Sequence, residues 1–259
     1  MTADSARVFK VEQSTVRVYP TKSEMGQAAA VEGSKKIQAA IAQHGTARIM
    51  VATGNSQQDM MEALVRNQDV DWSRVEVFHM DEYVGISPDH PASLRYWFQK
   101  HMLNTIKPAK LHLIKGEAQD SSEECLRYEN LIRSAPIHVC FLGIGENGHV
   151  AFNDPHVADF NDRQTVKKVD LDSRSRMQQV KEGHFREIEA VPHEALTVTC
   201  PALLSAESMV CCAPESRKAE AVRNALLGPV STSCPASILR SHPNVSIFLD
   251  ADSASLLPN

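Results

Sequence analysis

The stretch IHVCFLGIGENGHVAFNDP, residues 137–155, runs an apolar segment straight into three glycines within six residues, then a histidine and an acid. A short continuous apolar run bounded by glycine reads as a strand buried on both faces. Gly143, Gly145 and Gly148 read as a turn that leaves this strand and presents Asn147, His149 and Asp154 in quick succession. Strands buried on both faces belong to parallel sheets covered by helices, so this segment sets the expectation for the whole chain.

Outward from it, the same alternation repeats. Short apolar runs at 15–20, 47–52, 75–80, 111–114, 195–199, 208–213 and 245–250 read as strands. Amphipathic stretches at 23–43, 56–67, 91–103, 121–134 and 216–227 read as helices, the last ended by Gly228-Pro229. The predicted fold class is α/β: a doubly wound, mostly parallel sheet with helices on both faces. Residues 156–193 break the pattern, being polar and charged with no apolar period. They are too long for an ordinary loop and are expected to form a lid-like excursion of a single domain spanning 1–259.

The totals narrow the function. The chain has 259 residues, 42% hydrophobic and 23% charged, with a formal net charge of −5. That balance excludes a broad nucleic-acid surface, which needs a basic excess. No run approaches the length of a membrane span, and MTADSARVFKVEQ lacks a secretory layout, so the expected compartment is the cytoplasm. The six cysteines show no CxxC spacing and read as reduced, buried thiols, and no metal site is expected.

In open α/β sheets ligands bind beyond the carboxyl ends of the strands. Thr53-Gly54-Asn55-Ser56 leads from a strand into a helix, where free N–H groups and the helix dipole favour an anion. Asp81 and Glu82 follow the strand 75–80 and would raise each other's pKa, as suits a base that removes a proton. His149 follows 137–142 and Lys218 follows 208–213. An anion site, a carboxylate and a histidine at neighbouring strand ends predict proton transfer on a phosphorylated small molecule, a sugar phosphate being the natural candidate.

VEVFHMDEYVG, DHPAS (89–93), GIGENGHVAFNDP and ALTVTCPALLSAE (195–207) together resemble the glucosamine-6-phosphate deaminase (isomerase) family, which shares its fold with the 6-phosphogluconolactonases. The resemblance covers about residues 15–250. It implies conversion of glucosamine 6-phosphate to fructose 6-phosphate and ammonia without metal or organic cofactor. It makes Asp81 the base between C2 and C1, and His149 the ring-opening acid–base with Asn147 and Asp154 beside it. It assigns Thr53, Gly54, Asn55, Ser56 and Lys218 to the phosphate, with Glu82 and Gly145 also at the substrate. Self-association into a homo-oligomer is compatible with it.

Four positions depart from the family pattern. Asn147 stands where aspartate is usual, Asp154 where glutamate is usual, and TGNS where TGG(S/T) is usual. Gln179 aligns with a phosphate-binding arginine of the lid, with Arg174 and Arg176 nearby. Asn147 is the most consequential, because an amide beside a histidine supplies no charge and can accept or donate. Glu146 is one candidate to supply the charge instead. An isomerase or lactonase on another sugar phosphate, or a sugar-phosphate sensor without turnover, is the alternative reading of the same residues.

Overall fold

A computed structural model describes residues 6–258. In chain order it holds β1 (Arg7–Val11), β2 (Ser14–Tyr19), α1 (Lys22–His44), β3 (Ala47–Val51), α2 (Gln58–Val65), β4 (Val75–His79), β5 (Asp81–Tyr83), α3 (Leu94–Phe98) and β6 (Lys110–His112). Then come α4 (Ser121–Arg133), β7 (Val139–Leu142), β8 (Val166–Asp170), α5 (Ser173–Lys181), β9 (Glu194–Val198), α6 (Cys200–Leu204), β10 (Ser208–Cys212), α7 (Ala219–Leu227) and β11 (Val245–Asp250). Among the described residues no helix is long and apolar enough to cross a membrane.

The main sheet has the order β1-β2-β11-β10-β7-β3-β4-β6, parallel throughout except for β1, which pairs antiparallel with β2. Pleating explains the continuous apolar runs. Ile49 and Val51 of β3 face α1 and α2, while Met50 faces the opposite core. Likewise Val139 and Phe141 of β7 face one layer, and Cys140 and Leu142 the other. All six cysteines are buried and free.

Helix α1 starts where the Thr21 hydroxyl accepts from the Glu24 N–H, and ends at Gly45 with φ +78°. It crosses the sheet closely at Gly33, where a Cβ would lie 2.4 Å from the Phe141 ring. A side chain there would overpack the layer, at a cost of about 1–3 kcal/mol.

The sequence reading needs three corrections. The hairpin strand β1 was not expected; it is an edge strand and mostly exposed, so it carries little apolar signal. The 195–199 run does not join the main sheet: β9 lies between β5 and β8 in a separate antiparallel sheet. Residues 156–193 are not irregular but contain β8 and α5. Helix α5 buries Ser175, Arg176 and Gln178, polar residues that leave no hydrophobic period to read.

The strand order reverses between β3 and β7. The chain winds from β3 to β4 and β6 on one side, and from β7 to β10 and β11 on the other. Such a switch point opens a crevice at the carboxyl ends of the strands.

Candidate active site

That crevice holds a pocket of about 620 Å³, open solvent at its mouth included. Its wall takes Thr53, Gly54, Asn55 and Ser56 from beyond β3, Asp81 and Tyr83 from β5, and Gly145 and His149 from beyond β7. Lys218 enters from beyond β10, and Gln178, Gln179, Glu182 and His184 from α5 and its exit. Its polar, charged lining suits a small polar ligand.

The loop after β3 turns at Gly54, with φ +96°. Ser56 is not the helix cap; Gln57 holds that position, and its side chain instead donates to the Cys212 carbonyl at 3.0 Å. The first-turn N–H groups of α2 are therefore left without a side-chain cap. Lys218 is 1% exposed, and burial lowers its pKa to about 8 although Glu182 opposes the shift.

Asp81 is 7% exposed and its Oδ1 has no hydrogen-bond partner among the described residues. Burial, then the nearby Glu82, raises its pKa to about 8. Glu82 itself does not reach the pocket. The pleat of β5 sends it to the opposite face, fully buried, where it accepts from Ser93 Oγ at 2.8 Å and from the N–H groups of Leu94 and Arg95, each at 3.1 Å. It caps the N-terminus of α3 and does not line the pocket, and burial raises its pKa.

Behind His149 the loop turns back through Gly148 (φ +85°) and Ala151 (φ +50°). This returns Asp154 to the ring: Asp154 Oδ1 lies 3.1 Å from His149 Nδ1. The Asn147 Oδ1 lies 2.7 Å from the same nitrogen. Burial opposes ionisation of Asp154, yet His149, the Asn147 amide and the Asp172 N–H outweigh it and hold its carboxyl at about 2. Asp154, where glutamate is usual, is thus the carboxylate that pairs with the His149 ring. Glu146 has another partner, Arg217, at 3.2 Å.

With Asn147 Oδ1 and Asp154 as acceptors, the neutral ring carries its proton on Nδ1, and Nε2 is the nitrogen without a partner among the described residues. The ring lies flat against Gly145: a Cβ there would be 2.2–2.4 Å from three ring atoms.

Asn147 and Asp154 therefore stand behind His149 and do not line the pocket. Of the residues around the lid position where arginine is usual, Gln179 lines the pocket and its Oε1 accepts from His184 Nδ1 at 2.9 Å. Arg174 pairs with Glu220 at the surface, and Arg176 is buried on the Ile188 and Val191 carbonyls. Sequence reasoning missed Tyr83, Asp172, Ser175, Gln178, Glu182 and His184. Tyr83 was within reach, since β5 alternation puts it on the face of Asp81. The others lie in the polar segment.

Among the described residues, two clusters have ligand-type atoms close enough for a metal. In one, His138 spends its Nδ1 lone pair on the Arg48 N–H, so its other nitrogen carries a proton and offers none. In the other, Asp154 and Asp172 are engaged by Asn147 and Ser175.

Residues 20–247 match the model of the glucosamine-6-phosphate isomerases/6-phosphogluconolactonase family. The chain is 38% identical over 209 residues to a glucosamine-6-phosphate deaminase of Exiguobacterium sibiricum, covering 81% of each. It is 34% identical to that of Thermoanaerobacter pseudethanolicus, covering 81% of this chain and 83% of the relative. Among solved structures, a monomeric glucosamine-6-phosphate deaminase aligns with a TM-score of 0.86 and 31% identity, over 93% of this chain and 99% of that one. A 6-phosphogluconolactonase from Shewanella baltica aligns at 0.75 with 16% identity over 93% and 99%, a likeness of fold alone. With a switch-point pocket that joins an anion loop, a buried carboxylate and a histidine, the chain belongs to the glucosamine-6-phosphate isomerase/6-phosphogluconolactonase family.

Proposed function

We propose that this enzyme deaminates glucosamine 6-phosphate, giving fructose 6-phosphate and ammonia. The observation that carries the reading is the convergence of Asp81, His149, the 53–56 loop and Lys218 on one pocket. The phosphate sits on the loop and Lys218. His149 Nε2 takes the proton of the C1 hydroxyl and returns it to the ring oxygen, which opens the sugar. Asp81 then removes the C2 proton and delivers it to C1, while one proton of the ammonium group passes to the C1 oxygen. The resulting C2 imine adds water and releases ammonia. Asp154 stabilises the imidazolium formed on the way.

A base whose pKa is about 8 suits this step, being strong yet accessible near neutral pH. The substrate's ammonium group favours its ionised form. The 156–193 segment acts as a lid, through the pocket residues of α5 and His184.

Incubation with glucosamine 6-phosphate, reading ammonia and fructose 6-phosphate together, tests the reading. The two products are expected in equal amounts. Absence of both at high enzyme concentration refutes it, and turnover of a phosphorylated lactone instead would favour the lactonase branch.

Gly145→Ala is expected to push the imidazole out of place and lower kcat roughly 100-fold, as misplacement of a reacting group by about 1 Å does. An unchanged far-ultraviolet circular dichroism spectrum would show that the fold survives. A kcat within threefold of the parent would mean that the ring does not need its present seat.

A further inference from the structure

The Asn147 amide has no choice in how it bonds. One end lies 2.8 Å from Asp154 Oδ1 and 2.9 Å from Asp172 Oδ2. Carboxylate oxygens accept, so that end is the NH₂ group. The oxygen then accepts from the His149 backbone N–H at 3.1 Å and faces Nδ1. Both protons and the oxygen are fully used.

Asp172 is the N-cap of α5, and its other oxygen accepts from the Ser175 N–H at 2.6 Å. Ser175 Oγ donates to Asp154 Oδ1 at 2.9 Å and lies 3.2 Å from His149 Nδ1. The first turn of α5 therefore meets the histidine twice, once through Asn147 and once through Ser175. The far end of the same helix carries Gln178 and Gln179 into the pocket.

We propose that Asp172 and Ser175 are positioning residues for His149, and that Asn147 is the neutral clamp that joins them to it. The proposal rests on the reading of His149 as the acid–base of the site. Its core is chemical. The groups that already accept from the clamp are carboxyls: Asp154 from its own loop and Asp172 from α5. Across the pocket stand Asp81, Glu182, His184 and Lys218. A carboxylate at position 147 would meet two others at hydrogen-bond distance with no proton to share. An amide there is required by its neighbours and is not a weakened aspartate. Because α5 carries both the clamp and pocket residues, any shift of the helix around a ligand also shifts the partners of the ring.

The test is a double-substitution cycle of Asn147→Asp and Asp172→Asn, read two ways. The first is the pH profile of kcat with glucosamine 6-phosphate. The second is the His149 pKa by NMR of ¹⁵N-histidine-labelled protein, assigned with His149→Gln. Asn147→Asp is expected to lower kcat at least tenfold and to raise the His149 pKa by about one unit, since a further carboxylate favours imidazolium. Asp172→Asn alone also loses activity, because its NH₂ must face either the Asn147 NH₂ or the Ser175 N–H. It keeps a good helix cap, asparagine serving there as well as aspartate. In the double variant the amide at 172 donates to the carboxylate at 147, and activity recovers several-fold over Asn147→Asp. Recovery is partial, because the contact with Asp154 stays unfavourable.

Losses that simply multiply in the double variant would overturn the proposal, as would an Asn147→Asp enzyme at least as active as the parent. If the parent turns over no glucosamine 6-phosphate, the proposed function fails and the NMR arm still decides. An unmoved His149 pKa in Asn147→Asp then refutes the clamp.

Discussion

Asp81→Asn is expected to lower kcat about 1,000-fold and at the same time to raise the melting temperature. The first effect follows from removing a general base, worth about 10²–10⁴ in rate. The second follows from where that base is kept. Asp81 is buried, its Oδ1 lacks a partner among the described residues, and its pKa stands at about 8, against 3.8 for an ordinary aspartate. Between those values the folded chain holds a proton that the unfolded chain has released. Stability therefore falls as pH rises through this window, and the full cost is present above about pH 8. Asparagine carries no such cost. The gap in melting temperature between variant and parent should be small near pH 4 and widen to a plateau above pH 8. A stabilisation of about 1–3 kcal/mol at pH 9 corresponds to roughly 2–4 °C per kcal/mol in a protein near this size. Thermal melts from pH 5 to 9 decide it: a gap that stays constant or reverses would show that the carboxyl is not held protonated.

The contrast between Asp81 and Glu82 shows what could be read from the sequence and what could not. As letters the two acids are equivalent. As residues of β5 they face opposite ways, one into the pocket and one onto the N-terminus of α3. The alternation rule would have separated them had MDEY been assigned to a strand and not to a loop. The parallel strands were readable because burial on both faces leaves an unbroken apolar run, as in ARIMV and VCFL. The anion loop was readable because glycine and small polar residues lie between a strand and a helix. The α5 contribution was not. Its buried face is Ser175, Arg176 and Gln178, held by hydrogen bonds that depend on partners distant in sequence. The role of Asn147 was half readable. That it touches His149 follows from a spacing of two residues. That Asp154 pairs with the ring depends on two left-handed turns, one of them at Ala151, a residue type that rarely announces such a turn.

Lys218→Ala is expected to raise KM for glucosamine 6-phosphate about 100-fold while changing kcat much less. A phosphate is equally charged in substrate and transition state, so its contacts act mainly on binding. Losing one partner of a buried charge pair costs about 2–5 kcal/mol, which covers a 100-fold effect. Burial adds a second signature. With its pKa lowered to about 8, Lys218 is partly neutral in the free protein near pH 8. A bound phosphate dianion favours the charged form, so inorganic phosphate binding at pH 8 should be accompanied by net proton uptake. Calorimetry in buffers of different ionisation enthalpy measures that uptake, and in Lys218→Ala it should vanish along with most of the affinity. The same value shapes the pH dependence of kcat/KM. Activity rises as Asp81 ionises through about 8 and falls as Lys218 loses its proton through about 8, which makes a narrow bell. In the substrate complex the two limbs move apart, since ammonium lowers one pKa and phosphate raises the other. A kcat profile as narrow as that of kcat/KM, or phosphate affinity unchanged by Lys218→Ala, would remove Lys218 from the anion site.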